Sequence, residues 1–196
     1  MYYNLIVVDA QNDFAHKDGS LYVHGADECV KKIINFIEKH RRDIIKVIFT
    51  MDNHPLDHCS LKANGGPWPN HCIQGTEGQK ILPELIEACE KNKVDYKFLK
   101  KGEKADVLDY TAFANSRKVG YATILKSSTD TLTVYNDQFV VCGFAGDYCV
   151  KDSVADLIPV VGADNIKIFR DGVADIDDGT IFNKFIEENK LKIINI

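Results

Sequence analysis

No CxxC pair occurs among the six cysteines of this 196-residue chain, which stand scattered at positions 29, 59, 72, 89, 142 and 149. Without paired spacing or any sign of export there is no disulfide framework to expect, only free thiols in a reducing, cytosolic setting. Long apolar runs are also missing. None approaches the roughly 20 residues that cross a bilayer, so no membrane partner is expected. The segment MYYNLIVVD lacks a basic stretch followed by a long apolar run and a small-residue cleavage site, and it reads as a first strand instead of a signal peptide. Nor is there an excess of positive charge. Against 29 Asp and Glu stand 24 Lys and Arg, a formal charge of −5, and the pI of about 5.7 offers no general attraction to phosphate backbones. Nucleic acid is therefore not an expected partner. The one basic cluster, Lys97, Lys100, Lys101 and Lys104, reads as solvated surface with Lys101 as its exception. Internal repeats and linkers are absent too, and the length suits one domain spanning 1–196.

What the chain does have is alternation. Six short apolar, β-rich runs stand out at Tyr3–Asp9, Lys46–Thr50, Asp95–Leu99, Gln138–Cys142, Ile166–Phe169 and Lys192–Ile196, and continuous apolar runs of this kind suit parallel strands buried on both faces. Between them lie stretches of helical spacing: CVKKIINFIEKH, QKILPELIEACEK, DSVADLIPVV and TIFNKFIEEN. The pattern predicts a doubly wound α/β domain with helices on both faces. Two polar excursions, Asn53–Thr76 and Gly102–Lys118, exceed a minimal βα connection and read as active-site loops. Asp9 ends the first run, Asp52 follows the second, Lys101 the third, and Gly143–Cys149 the fourth. The carboxyl ends of strands in an open α/β sheet share one edge, where ligands bind.

Residue chemistry points to the same edge. Cys149 sits just after a strand at the start of a helix, where free backbone N–H groups and the helix dipole favour a thiolate. Lys101 on a neighbouring strand end is expected to hold that thiolate and lower the thiol pKa from its free value of about 8.5. Asp9, Lys101 and Cys149 then form an acid/base, a cation and a nucleophile. Asp52 and His54, two apart on a strand-exit loop, can meet one ion, and His71 can close the set. Mixed carboxylate and imidazole ligands suit zinc first, with Fe²⁺ or Mn²⁺ as alternatives, and three protein ligands leave coordination positions open. Cys72 is next to His71, but neighbouring side chains diverge and it is not counted as a ligand.

In order along the chain, VVDAQNDF, DNHPLDHCS, WPNHCIQGT, FLKKG and VCGFAGDYCV resemble the motifs of the nicotinamidases within the isochorismatase-like hydrolase superfamily. The resemblance implies a six-stranded parallel sheet, Asp9, Lys101 and Cys149 as catalytic triad, and a divalent metal on Asp52, His54 and His71 that takes the pyridine nitrogen. It also implies that Phe14 and Trp68 flank the ring. The backbone N–H groups of Ala145 and Cys149 would form the oxyanion hole, with the Phe144–Ala145 peptide cis. The implied reaction converts the small-molecule substrate nicotinamide to nicotinic acid and ammonia through a cysteine thioester, feeding NAD salvage. This chain departs from the family pattern at Asn53 and Leu61, which is expected to reshape one wall of the pocket, and LDYTAF only partly echoes the segment that includes Tyr110. His58 stays outside the ligand set. Competing readings are an isochorismatase, which needs neither a metal trio nor a nucleophilic cysteine, another cysteine amidohydrolase of the superfamily, and an inactive metal-binding relative. Oligomeric state is left open, a homo-oligomer included.

Overall fold

Tyr3–Val8 forms β1, every residue of which is buried, as a strand covered on both faces requires. The computed structural model describes residues 2–113 and 138–195. After β1 come a short helical turn α1 (Asn12–Ala15), α2 (Ala26–His40), β2 (Ile44–Asp52), α3 (Pro83–Asn92), β3 (Tyr96–Lys101), β4 (Gln138–Phe144), a π-helical turn Gly146–Val150 running into α4 (Lys151–Val161), β5 (Ile166–Ala174), α5 (Thr180–Glu188) and β6 (Lys192–Ile194). The strands form one six-stranded sheet in the order β3-β2-β1-β4-β5-β6, and every pairing is parallel. The chain moves outward in one direction from β1 to β3 and in the other from β4 to β6. Right-handed crossovers then place α2 and α3 on one face and α4 and α5 on the other. The crevice opens where the direction reverses, between the carboxyl ends of β1 and β4.

The apolar stripe Val30, Ile33, Phe36 and Ile37 of α2 is buried, at the spacing that lays one helix face on a sheet. Phe36 meets Phe169 of β5 at a ring-centroid distance of 4.6 Å. The edge strand β6 has Ile193 half exposed, at 50%.

Several boundaries differ from the sequence reading for physical reasons. Strands β2 and β3 run on to Asp52 and Lys101, which are direct ladder partners, so two charged residues extend the strands by neutralising each other. Helix α3 starts at Pro83 instead of Gln79 because proline, without an N–H, suits the first helical position, and Ile81 before it makes an antiparallel bridge to Gln11. The 102–118 loop is non-helical as far as Phe113; its last five residues lie outside the described residues, as does Ile196. All six cysteines are free, and no described helix is long and apolar enough to cross a membrane. Replacing Ile6, fully buried in central β1, by Ala should cost about 2–5 kcal/mol in urea unfolding, while Ile193→Ala on the edge should cost under about 0.5 kcal/mol.

Candidate active site

The site begins with the first residue beyond β1. Asp9 has φ 48, in the left-handed region, so the chain turns there and its carboxylate faces β2 and β3. Thr50 donates its hydroxyl to Asp9 Oδ1 at 2.7 Å, and the Asp9 amide bonds the Thr50 carbonyl at 3.1 Å. Lys101 Nζ lies 2.9 Å from Asp9 Oδ2, 2.5 Å from Asp52 Oδ1 and 3.4 Å from Cys149 Sγ. Its side chain is only 2% exposed. An ammonium buried this deeply is tolerated only when paired and hydrogen-bonded, and here the two carboxylates do both. Asp9, Lys101 and Cys149, predicted from separate stretches, are thus brought into one cluster.

The charges within the cluster are not shared evenly. Burial opposes the charged form of Lys101, but the Asp52 and Asp9 carboxylates outweigh it and hold the ammonium protonated well above the ordinary lysine range. Burial likewise works against ionised Asp52, yet Lys101, and after it His54, keep its carboxyl below the usual range. Asp9 goes the other way: burial pushes it up, the nearby Asp52 charge adds to that, and Lys101 offsets only part. For Cys149 the outcome corrects the sequence expectation. Burial pushes the thiol well above its ordinary value, and although Lys101 opposes this, Asp9 and Asp52 reinforce it. Lys101 cannot hold the thiolate alone because its charge is already committed to two carboxylates. Without a metal on Asp52, therefore, both sulfur and Asp9 are pushed toward their protonated forms.

The metal-ligand set assembles beside this cluster. His54 Nδ1 lies 3.0 Å from the Gly102 carbonyl and His71 Nδ1 lies 2.8 Å from the Pro69 carbonyl. A carbonyl only accepts, so both Nδ1 atoms carry the proton and both Nε2 atoms keep a lone pair, the arrangement that ligating histidines use. His54 Nε2 is buried with no hydrogen-bond partner. Asp52 Oδ2 faces it at 3.5 Å and faces His71 Nε2 at 3.8 Å, close to the roughly 3.4 Å between ligand atoms that each sit about 2.05 Å from a tetrahedral ion. The residues fit a divalent metal. Burial, with His54 adding to it, pulls His71 below the usual histidine range, which favours the neutral, ligating form. His58 is ruled out by its own bonds. Its Nε2 donates to the Val107 carbonyl at 3.0 Å, while Nδ1 accepts from the Ser60 hydroxyl at 2.7 Å. Cys72 Sγ turns to the Gly78 carbonyl and does not join the group.

Cys149 and the three residues Asp52, His54 and His71 line one cavity, and Asp9 and Lys101 lie buried beside them. Phe14 lies against His71 with rings 5.5 Å apart. Trp68 donates its indole N–H to Tyr110 at 3.1 Å and stands edge-on to Tyr148 at 5.0 Å. Ala145 and Cys149 line the cavity floor, whereas the amides of Tyr148 and Val150 are committed to the Ala145 carbonyl. The Phe144–Ala145 peptide is cis.

Against known proteins, the isochorismatase domain family matches residues 3–160. The chain belongs to that family. Two nicotinamidases are similar to it: that of Escherichia coli K12, 30% identical over 79% of this chain and 75% of the relative, and that of Saccharomyces cerevisiae, 27% identical over 98% and 97%. Pyrazinamidase of Pyrococcus horikoshii, in a crystal structure in complex with zinc, matches with a TM-score of 0.75 at 27% identity over 100% of both chains.

Within this isochorismatase-family site, several residues are additions to the sequence reading. Asn53 donates to Glu103 at 2.8 Å and accepts from Gln79 at 2.7 Å. Leu61 is fully buried and bridged to Trp68 of the cavity wall through its backbone. Gln11, fully buried, clamps Asp52 by accepting its amide and donating to its carbonyl, both at 2.8 Å. Asp13 holds the Cys72 amide at 2.7 Å and thereby seats His71. The polar run Gln11–Asp13 after Ala10 was the available signal; what it would bond could not be read without the fold. Tyr148 is an aromatic wall found only here, and Tyr110, whose segment the sequence matched only in part, is another.

Two outcomes test the site. His54→Ala or His71→Ala should retain less than a tenth of the wild-type metal by mass spectrometry, whereas Cys72→Ser and His58→Gln should keep most of it. Because the thiol pKa is raised when no metal sits on Asp52, alkylation of Cys149 by iodoacetamide in the metal-free protein should keep accelerating above pH 9, the thiolate forming only as pH climbs through the folded value. Lys101→Met should move the midpoint higher still.

Proposed function

We propose that this chain is a nicotinamidase, hydrolysing nicotinamide to nicotinic acid and ammonia, with zinc as the metal and the cytosol as the setting. The observation that carries this reading is that Cys149, backed by buried Lys101 and Asp9, and the three-ligand metal set line one cavity with aromatic walls. A substrate held at one end is then presented to sulfur at the other, and the names of the similar nicotinamidases support the pyridine carboxamide as that substrate. Bound at Asp52, His54 and His71, the ion would supply an electron-pair acceptor for the ring nitrogen.

The chain's own residues do the rest. Asp9 takes the proton from Cys149 as sulfur bonds to the carboxamide carbon, and it returns that proton to nitrogen as the C–N bond breaks and ammonia leaves. Its raised proton affinity suits both halves of the exchange. Lys101 stays protonated and balances the negative charge as it passes between Asp9 and sulfur. Backbone N–H groups of Ala145 and Cys149 are assigned to the developing oxyanion, where losing one donor typically costs on the order of a hundredfold in rate. Water, deprotonated by Asp9, then cleaves the thioester and the proton goes back to sulfur. Phe14, Trp68 and Tyr148 keep bulk water from the ring.

Cys149→Ala and Asp9→Asn should bind metal but lose more than about 99% of kcat, since one lacks the nucleophile and the other cannot carry the proton. Benzamide has carbon in place of the ring nitrogen and almost the same size. The metal-loaded enzyme should therefore prefer nicotinamide at least a hundredfold in kcat/KM, about 2.7 kcal/mol. Equal turnover of the two amides in an ammonia-release assay would point to a different cysteine amidohydrolase.

A further inference from the structure

We infer that Asp147 is a positioning residue for the nucleophile, locking the turn that carries Cys149 onto the loop between β5 and α5. Resting on the proposed hydrolytic reading, this inference starts from an unusual use of a carboxylate. Asp147 lies two residues before Cys149 and is 3% exposed. It does not cap its own helix: Oδ1 accepts the amide of Ile176 at 3.0 Å and Oδ2 accepts the amide of Asp177 at 3.1 Å. Bonds from charged acceptors to backbone N–H are roughly twice as strong as neutral ones, and two of them in parallel fix orientation as well as distance.

The receiving loop is itself anchored. Arg170 holds Asp175 at 2.6 Å and donates to the Val173 carbonyl at 3.1 Å, while Asp177 accepts the Gly179 amide at 2.7 Å and the Ile181 amide at 3.2 Å, tying the loop to the start of α5. Contact between the two segments is close. A Cβ on Gly146 would come within 2.0 Å of Asp175 Oδ1, so only glycine lets the turn lie flush on the loop. Between these clamps sit Tyr148 and Ile176, both in the cavity wall. The β1 to β3 side of the site holds its own parts through Lys101 and Gln11; on the β4 side, Asp147 supplies the corresponding lock, setting where Cys149 Sγ sits relative to Lys101 and to the metal-anchored end of a substrate.

Asp147→Asn tests this, because the amide keeps the shape but turns an N–H toward one of the two backbone donors. In the metal-loaded, full-length protein, kcat for nicotinamide should fall at least about tenfold with KM within about threefold, the pattern of lost alignment at an intact anchor. Metal content should stay at the wild-type level. Ile44→Ala, a buried change at the start of β2 and so at the opposite end of the strands from the site, controls for stability and should leave kcat unaltered. Should Asp147→Asn fail to fold, Asp147→Glu, which keeps both acceptors and the charge but is one methylene longer, should show the same split. An unchanged kcat in folded Asp147→Asn, or in folded Asp147→Glu where only that variant folds, would overturn the inference. The rate of Cys149 alkylation by iodoacetamide, read without any amide substrate, should change at least fivefold in the same variant. If wild type fails to release ammonia from nicotinamide, the functional reading falls, and an altered alkylation rate still upholds the positioning role while an unaltered one removes it.

Discussion

The burial of one ammonium constrains much of this molecule. Lys101 ends β3, yet its side chain is 2% exposed, and withdrawing such a charge from water costs several kcal/mol unless partners are waiting. They are supplied by Asp9 beyond β1 and Asp52 at the end of β2, which is only achieved if three adjacent strands finish level. The ladder does this, with Asp52 facing Lys101 across β2 and β3 and Asp9 bonded back to Thr50. Thr50 and Gln11, both fully buried, then read as supports for the carboxylates more than as independent features.

Topology decides why the fourth member arrives where it does. β1 and β4 are neighbours in the sheet although β2 and β3 come between them in the sequence; their connections leave in opposite directions and leave a gap between them. The turn Gly146–Val150 fills the rim of that gap, and Sγ of Cys149 reaches Lys101 across it at 3.4 Å. A helix start alone favours a thiolate, but burial outweighs it here, so the group that moves the proton has to be local. Asp9, with its own raised pKa, is the group that the proposed reaction gives this task.

What could be read from the sequence was the part written in strand ends. Apolar runs located all six described strands, and the loops that leave them supplied the Asp9, Lys101 and Cys149 cluster and the Asp52, His54 and His71 group that the fold brings together, because a parallel sheet gathers its carboxyl ends on one edge. What Asn53 and Leu61 bond could not be read from their departure from the family pattern, because the partners of Asn53, Glu103 and Gln79, lie 50 and 26 residues away. Gln11 was invisible as a clamp because its bonds span 41 residues. The thiol pKa was misjudged from a pairwise picture, in which Lys101 met sulfur and the two carboxylates competing for the same ammonium were left out.

Asp52 joins the two halves of the site. One oxygen contacts Lys101 at 2.5 Å, and the other faces the Nε2 atoms of His54 and His71 at 3.5 and 3.8 Å. Its negative charge is also one of the causes that raise Asp9 and Cys149. A dication held by that carboxylate would be the largest charge in the neighbourhood, and it would cancel much of the repulsion Asp52 exerts on both. Loading the metal then eases ionisation of the very pair that shares the mobile proton, while Lys101, still bound to Asp9 at 2.9 Å, is left freer to serve sulfur. Through Asp52, a metal that anchored a substrate would also tune Asp9 and Cys149, although neither shares a strand with Asp52.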